Sequence, residues 1–290
     1  MKNQKYLIFI EDKLPTKQVL KLWKLAGLEI KSERGKSDCL HGVKDSFFLW
    51  KNGILTFHSG VKLKLSSKDL IQQISRLDNQ KVSIKKQPFA KALGLKNRDE
   101  NCWILDGTVG LAKDYFLARS FGFNVLGLEC SSLCYSLLGT TVNQYDLKSS
   151  SCILNLETSE FLEKFVQNGM SIEEDLHKKE VFESLTDSNL TYCKSLFEKV
   201  SESAPSVVYL DPMYDEGNMN ALPSKQMQIL RHELDIQTER SIEKLFRRSY
   251  ELAKNRVVLK RSVKSSIKFK DLYSFSSAGK STRYDVYLKV

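Results

Sequence analysis

Short apolar runs alternate with amphipathic stretches over the last two thirds of the chain. Runs at 103–106, 125–129, 152–154, 207–210 and 256–260 predict strands, and the segments between them mostly carry the apolar spacing of helices. Such alternation is typical of a mostly parallel sheet covered by helices. Two further strands, near 268–274 and 283–289, are predicted to form an antiparallel hairpin at the end of this sheet.

The first 80 residues follow a different pattern. We expect a strand at 6–10, a helix at 15–26, and strands at 46–50 and 54–58 that flank the hairpin signal Lys51-Asn52-Gly53. Another strand is expected at 61–65, and Ser66-Ser67 caps a predicted helix that runs to 77. The polar, lysine-rich stretch 78–87 ends at Pro88 and marks a domain boundary. The sequence thus predicts a small α+β domain at 1–80 and a larger α/β domain at 81–290.

Charge is distributed unevenly between these two parts. Residues 1–96 carry 20 Lys and Arg against 8 Asp and Glu, whereas the remainder carries 25 against 27, so the first third accounts for the whole net charge of +10. Such a bias indicates a surface for a polyanion, because cationic side chains release the counterions of phosphates. A lysine-rich face that is merely solvated stays open as the alternative. Further along, an acidic helical segment at about 168–203 is interpreted as an insertion in the larger domain.

Candidate cofactor-binding residues follow the first two predicted strands of the larger domain. The run 103–106 ends in Asp106-Gly107, and Gly110 follows just before an apolar helix at 115–121. Glycines let a backbone approach a ligand closely, and a helix amino terminus favours anionic groups. The spacing does not meet the G-x-G-x-x-G dinucleotide fingerprint. Glu129 ends the second strand, about 20 residues past the loop, where an acid accepts hydrogen bonds from ribose hydroxyls. Asp106 either orders the loop, which we favour, or merely ends a strand.

A tetrad with the chemistry to hold an amine follows the predicted strand 207–210. In Asp211-Pro212-Met213-Tyr214 the Asp211 carboxylate and the Pro212 carbonyl can accept both N–H bonds of a planar exocyclic amine, and Tyr214 offers a ring face for stacking. An ordinary Asp-Pro turn explains this segment equally well when it is taken alone. Together with the glycine loop and the ribose acid, the tetrad predicts a class I (Rossmann-like) methyltransferase that uses S-adenosylmethionine (SAM). The hypothesis assigns catalysis to Asp211, Pro212 and Tyr214.

The larger domain resembles a known family, the bacterial 16S ribosomal RNA guanine-N2 methyltransferases called small-subunit methyltransferase J. The resemblance covers roughly 81–290 outside the insertion, while the amino-terminal part matches only loosely. It implies a mostly parallel, seven-stranded sheet and methyl transfer from SAM to the exocyclic N2 of a specific guanosine in 16S rRNA of the small ribosomal subunit. The segments that carry the resemblance are Lys91-Ala92-Leu93-Gly94-Leu95-Lys96, 106–114, 209–214, 256–261 and 283–287.

The resemblance also implies roles for individual residues. It puts Lys113 and Asp114 at the methionine end of the cofactor, Glu129 with Cys130 at the ribose and adenine, and Asp211 beside the methyl group. A pair of serines in the family aligns here with Glu157-Thr158. The chain also departs from the family at Val109 and Ala112, where smaller residues are usual, and at Lys113, which replaces an arginine and loses its bidentate fork. The candidate cofactor-binding residues are Asp106, Gly107, Gly110, Lys113, Asp114, Glu129, Cys130, Glu157, Thr158 and Asp211.

Basic side chains in two places are candidates for RNA phosphate. One group crowds the approach to the glycine loop, and the other lies near the carboxyl edge of the predicted sheet, where solvated side chains are the alternative. These candidates are Lys85, Lys86, Lys91, Lys260, Arg261 and Arg283.

The remaining features narrow the class of protein. No stretch of about 18 apolar residues occurs, and the first apolar run is too short for a signal peptide, so we expect a cytoplasmic protein without a membrane segment. Six cysteines without a C-x-x-C pair and four histidines without zinc spacing predict no metal site. Two rival classes stay open. One is a methyltransferase for another amine, such as adenine N6 in RNA or DNA or a protein glutamine; the other is a nicotinamide-dependent enzyme or an inactive RNA-binding protein.

Overall fold

The structure is a computed structural model and describes most of the chain. The described residues are 6–11, 13–31, 46–60, 63–79, 87–95, 102–144, 151–167, 187–213, 224–234, 237–265 and 269–289. They form two sheets with helices packed against them. Among these residues, no helix is long and apolar enough to cross a membrane.

The amino-terminal sheet has five strands in the order β2-β1-β3-β4-β5. Strand β1 pairs in parallel with β2 and β3, and β3, β4 and β5 pair antiparallel. Asn52 and Gly53 join β3 to β4 with positive φ angles of 51° and 73°, as the hairpin signal predicts. The elements are β1 (Leu7–Ile10), α1 (Lys17–Leu25), β2 (Glu29–Lys31), β3 (Phe47–Lys51), β4 (Ile54–His58), β5 (Lys64–Ser66) and α2 (Ser67–Asn79).

The second sheet has seven strands in the order β11-β12-β10-β9-β6-β7-β8. Strand β12 pairs antiparallel with β10 and β11, and the other four strand pairs are parallel. Strands β6 and β9 are buried along their whole length, as expected for central parallel strands covered on both faces. The strands are β6 (Trp103–Asp106), β7 (Asn124–Leu128), β8 (Ile153–Leu154), β9 (Val207–Leu210), β10 (Arg256–Ser262), β11 (Phe275–Ala278) and β12 (Thr282–Leu288).

Helices cover both faces of this sheet because its side chains alternate. In β6, Ile104 belongs to one apolar cluster, whereas Trp103 and Leu105 belong to another on the opposite face. The chain proceeds from β6 towards β8 in one direction and from β9 towards β12 in the other, which leaves a crevice at the carboxyl ends of β6 and β9. The helices are α3 (Pro88–Leu93), α4 (Lys113–Ser120), α5 (Ser132–Gln144), α6 (Thr158–Gln167), α7 (Asp187–Glu202), α8 (Lys225–Glu233) and α9 (Glu239–Leu252).

The two sheets are joined by a shared core. One apolar cluster contains side chains of β1 to β5, α1 and α2 together with side chains of α4 and α5. Polar contacts also cross the junction, since the buried Glu233 carboxylate of α8 accepts hydrogen bonds from the hydroxyls of Tyr6 (3.4 Å), Ser46 (2.6 Å) and Ser59 (2.9 Å). The division into domains at 1–80 and 81–290 remains a proposal, which the two separate sheets support.

One predicted strand differs from the sequence-based expectation. The strand predicted near 268–274 is replaced by turns in its described part, 269–274, and the strand β11 follows them. Phe269 is buried there and stacks on Phe246 of α9 at 4.2 Å, so its apolar signal comes from a helix contact rather than from strand pairing. Within the predicted insertion, 168–186 lies outside the described residues. The remainder forms α7, which buries Cys193, Leu196 and Val200 in the core and is therefore a layer of the domain.

Candidate functional site

Asp106 and the glycine loop are held between neighbouring strands at the crevice. The Gly107 N–H donates to the Tyr209 carbonyl (3.0 Å), and the Thr108 N–H donates to Asp106 Oδ1 (3.1 Å). A Cβ on Gly107 would lie 2.7 Å from Thr158 Cγ2, which is too close for any residue but glycine, and the Thr158 hydroxyl donates to the Gly107 carbonyl. Burial raises the pKa of Asp106 well above its ordinary range, although the Thr108 N–H opposes the rise.

The loop enters α4 through two left-handed residues. Gly110 has a φ of 56°, and Ala112, at the amino-terminal cap of α4, has a φ of 61°. A left-handed alanine costs roughly 1 kcal/mol, which a glycine would avoid. A hydrogen bond from the Val109 N–H to the Leu128 carbonyl, 3.2 Å long, holds the loop against β7. The departure from the family at Ala112 therefore carries a local strain that the surrounding contacts maintain.

Glu129 is a prearranged acceptor at the carboxyl end of β7. Its two carboxylate oxygens accept the N–H of Gly110 (2.6 Å) and the N–H of Ser131 (2.7 Å). Burial raises the pKa of Glu129 to about 7, while these two N–H groups oppose the rise. A carboxylate offers about four lone pairs, so two remain for donors such as ribose hydroxyls.

Two carboxylates and one ammonium meet where β6, β9 and β10 end. Lys260 Nζ lies 2.7 Å from Oδ2 of Asp114 and 2.7 Å from Oδ2 of Asp211. The Tyr209 hydroxyl donates to Asp114 (2.6 Å), and the Asp211 N–H donates to Thr108 Oγ1 (2.5 Å). With both acids ionised, the trio carries a net charge of −1, which suits a cationic ligand.

Opposing effects set the protonation of this trio. Burial raises the pKa of Asp211, and the Lys260 ammonium opposes that rise. Burial lowers the pKa of Lys260, but the carboxylates of Asp211 and Asp114 outweigh it and raise the pKa above its ordinary value. Lys260 is therefore a cation paired with two carboxylates of the cleft, and its contact with RNA phosphate stays a prediction.

The cleft above these strand ends has a volume of about 1130 Å³. A cleft of this size is large enough for a nucleoside cofactor and a substrate group together. The structure places the described candidates for catalysis and for cofactor binding together in the lining of this cleft. They are Asp106, Gly107, Gly110, Lys113, Asp114, Glu129, Cys130, Glu157, Thr158, Asp211 and Pro212. Tyr214 lies outside the described residues.

Sequence reasoning missed several lining residues. Leu25, Ala26, Gly27 and Gln73 come from the amino-terminal part of the chain, and Met227, Leu230 and Leu234 come from the segment after the tetrad. Long-range packing brings these residues to the cleft, and no local pattern marks them. The Tyr209 hydroxyl was missed because its strand pattern reads as core.

The predicted RNA-binding residues are dispersed. Arg261 is 1% exposed, and Arg283 is 8% exposed, pairs with Asp285 at 3.0 Å and donates to the carbonyls of Val263 and Ser265. Burial keeps both guanidinium groups from RNA phosphate in this structure, which corrects the sequence-based prediction for these two residues.

The other three basic candidates precede or belong to α3 in the sequence. Lys91 is exposed on α3, so it remains available to an RNA partner. Lys85 and Lys86 lie outside the described residues.

Comparison with known proteins finds methyltransferases of similar sequence and fold. A family model described as "Putative SAM-dependent methyltransferase" matches residues 54–289. The ribosomal RNA small subunit methyltransferase J of Saccharophagus degradans is 29% identical over 203 residues, which cover 70% of this chain and 68% of that protein. The enzyme of the same name from Brucella anthropi is 31% identical over 204 residues, covering 70% and 83%. A solved SAM-dependent methyltransferase from Neisseria gonorrhoeae shares the fold with a TM-score of 0.61, at 21% identity over 97% of this chain and 95% of that one.

These findings confirm two predictions. The seven-stranded sheet is that of a class I, Rossmann-like SAM-dependent methyltransferase, and SAM is the cofactor. The residues present fit this cofactor: Gly107 permits close approach, Glu129 offers free lone pairs, and the trio around Lys260 carries negative charge. The assignment of each residue to a part of the cofactor remains a proposal.

Proposed function

This chain belongs to the SAM-dependent methyltransferase family described above and to the ribosomal RNA small subunit methyltransferase J family, and on that premise we propose its reaction. It transfers a methyl group from SAM to the exocyclic N2 of a specific guanosine in 16S rRNA of the small ribosomal subunit. This proposal depends mainly on the position of Asp211-Pro212 at the end of β9, in the lining of the cleft. There Asp211 shares the ammonium of Lys260 with Asp114.

Asp211 and Pro212 supply acceptors for the target amine. Asp211 keeps one carboxylate oxygen for the amine while Lys260 holds the other. Bound in the cleft, SAM supplies a methyl group already activated by its sulfonium. The lone pair of guanine N2 is delocalised into the ring, so attack requires the nitrogen to rehybridise. Accepting its N–H bonds at Asp211 and at the Pro212 carbonyl favours that change and offsets the positive charge that develops. The proton then leaves to Asp211 or to water.

The basic amino-terminal part supports an RNA substrate. Helix α1 and the turn before it present Lys13, Lys17, Lys21 and Lys24 on exposed positions, and no acidic residue occurs between 13 and 27. The lysines of α1 recur at helical spacing on one side, as a track for a phosphate backbone requires. We include this stripe with Lys91, and with Lys85 and Lys86, in the proposed RNA-binding surface. A ribosomal substrate agrees with the cytoplasmic location predicted from the sequence.

Another amine is the alternative target. Acceptors such as Asp211 and Pro212 suit any planar NH2 group, including adenine N6 in RNA or DNA and a protein glutamine. The basic stripe on α1 favours a nucleic acid over a protein, and the names of the relatives favour ribosomal RNA.

The test measures methyl transfer and cofactor binding separately. With labelled SAM, the protein is expected to methylate small-subunit rRNA, naked or in the subunit, and to leave large-subunit rRNA, DNA and protein unlabelled. Asp211→Ala is expected to abolish transfer while the Kd for SAM rises only modestly. Asp271→Ala, an exposed acid away from the cleft, is the control and should transfer normally. Near-normal transfer by Asp211→Ala would contradict the role of Asp211, and label only in another class of molecule would contradict the substrate.

A further inference from the structure

Helix α1 ends in a tight, well-defined turn. Gly27 has a φ of 76°, its N–H donates to the Lys24 carbonyl (3.0 Å), and the Leu28 N–H donates to the Trp23 carbonyl (2.9 Å). These two bonds and the buried pair Trp23 and Leu28 make a Schellman motif, in which glycine takes the left-handed position. The turn Leu25–Gly27 is therefore a rigid feature.

Contacts with helix α5 of the larger domain fix the position of α1. Trp23 Nε1 donates to Thr140 Oγ1 of α5 at 2.9 Å, and both groups are buried. Leu22 packs so closely on Gly139 of α5 that a Cβ there would lie 2.1 Å from Leu22 Cδ1. Helix α5 begins at Ser132, immediately after the ribose acceptor Glu129 and its neighbours. Helix α1 is thus anchored to the helix that leads away from the cofactor cleft.

The turn at the end of α1 reaches the far end of the cleft. Asn155 Nδ2, directly after β8, donates to the Leu25 carbonyl at 3.0 Å, and Leu25, Ala26 and Gly27 all line the cleft. A Cβ on Gly27 would meet nothing within 4 Å, so the space in front of Gly27 is open.

The order of the strands assigns this end to the base of the cofactor. Asp211 follows β9, Glu129 follows β7 and Asn155 follows β8, and the sheet order is β9-β6-β7-β8. With strands about 4.8 Å apart, Asn155 lies roughly 14 Å from the β9 end where the methyl acceptor is proposed. The ribose of SAM links its sulfonium chain to adenine. With the ribose at Glu129, the adenine therefore lies beyond it, towards Asn155 and the turn.

We propose that the turn Leu25–Gly27 is a wall of the adenine pocket, so that the amino-terminal domain completes the cofactor site. The Leu25 side chain and the bare backbone of Gly27 supply an apolar surface of the kind that a planar base packs against. Asn155 holds that surface in place. Cofactor binding and docking of the lysine-bearing helix α1 are consequently linked, because SAM bridges both parts of the chain.

Photolabelling of the unaltered protein tests this wall directly. A SAM analogue with an azide on its adenine ring is bound, irradiated and competed with excess SAM. Trypsin cleaves after Lys24 and Lys31 and releases the peptide 25–31. We expect this peptide to carry label that SAM competes away. Label confined to peptides from 102–289 would overturn the proposal.

A matched pair of glycine variants tests the same wall by affinity. Gly27 and Gly53 have similar φ angles of 76° and 73°, and a Cβ on either would meet nothing within 4 Å, but only Gly27 lines the cleft. Histidine tolerates a positive φ better than most residues. Gly27→His should weaken SAM binding by about tenfold or more, as overpacking of a site does. Gly53→His should change the Kd for SAM by less than about twofold, while its loss of thermal stability should be similar to that of Gly27→His. An unchanged Kd for Gly27→His would overturn the proposal, and the photolabelling decides the question if this variant does not fold.

Discussion

Replacing Lys260 by methionine should shift the acid limb of the methyl-transfer rate to higher pH. Lys260 Nζ is 2.7 Å from one oxygen of Asp114 and 2.7 Å from one oxygen of Asp211, so these oxygens are at most about 5.4 Å apart. Replacing Lys260 removes the attraction of its ammonium for the Asp211 carboxylate and leaves the repulsion from Asp114 uncompensated; the lost attraction is about 6 kcal/mol at an effective dielectric of about 20. The Asp211 side chain is 37% exposed, and solvent screening reduces this to about 1–1.5 kcal/mol, or about one pH unit.

The sign follows from the role of Asp211 as an acceptor. Activity requires its ionised form and is lost as pH falls through its pKa, so a raised pKa moves the acid limb upward. The assay is kcat/KM for transfer of labelled methyl to small-subunit rRNA between pH 5 and pH 9. Lys260→Arg keeps the charge and should restore most of the wild-type profile. Lys254→Met, an exposed lysine at the other end of β10, should leave it unchanged. A Lys260→Met profile that superimposes on the wild-type profile would refute the electrostatic role of Lys260.

Three further predictions concern cofactor affinity and stability. Because burial raises the pKa of Glu129 to about 7, calorimetry should show SAM binding up to about tenfold more tightly at pH 8 than at pH 6. Glu129→Gln should remove this pH dependence, and an equal Kd of the wild-type protein at both pH values would contradict the prediction. Gly139→Ala should lower the free energy of unfolding in urea by about 1–3 kcal/mol because of the clash with Leu22. The double variant with Leu22→Ala should lose less free energy of unfolding than the sum of the two single variants, and additive losses would argue against the contact. Ala112→Gly should change the stability by less than about 0.5 kcal/mol or raise it, since glycine adopts the left-handed conformation without strain. Ala118→Gly, inside α4, should lower the stability by about 1 kcal/mol, and equal losses for both variants in thermal unfolding would contradict the claim that Ala112 is strained.

Local patterns located the central strands of the sheet that bears the cleft. Strand β6 and strand β9 lie where their apolar runs predict, because buried parallel strands are apolar on both faces. The three-residue strand β2 was missed, since its pairing with β1 comes from the tertiary contact rather than from its own sequence. Helix α7, the described end of the predicted insertion, buries Cys193, Leu196 and Val200 against the sheet, a long-range contact that the sequence alone did not indicate.

The polar residues of the cleft were also predictable only as far as local sequence determines them. Glycine, acid and proline at strand ends identified the cleft, because those residue types are needed locally. The partners of charged side chains are set across the sheet and could not be inferred from order along the chain. Lys260 and Arg261 are adjacent in β10, yet one enters the cleft between two carboxylates and the other is buried on the opposite face. Both had the same prediction from sequence.

The identity of the methylated nucleoside tests the central claim most directly. The protein is incubated with methyl-labelled SAM and small-subunit rRNA or subunits from a bacterial strain that lacks its own methyltransferase J, and the digested nucleosides are identified by mass spectrometry. The account predicts label in N2-methylguanosine at one position, and none with Asp211→Ala. Label only in another nucleoside, or no label in either form of the RNA, would contradict it.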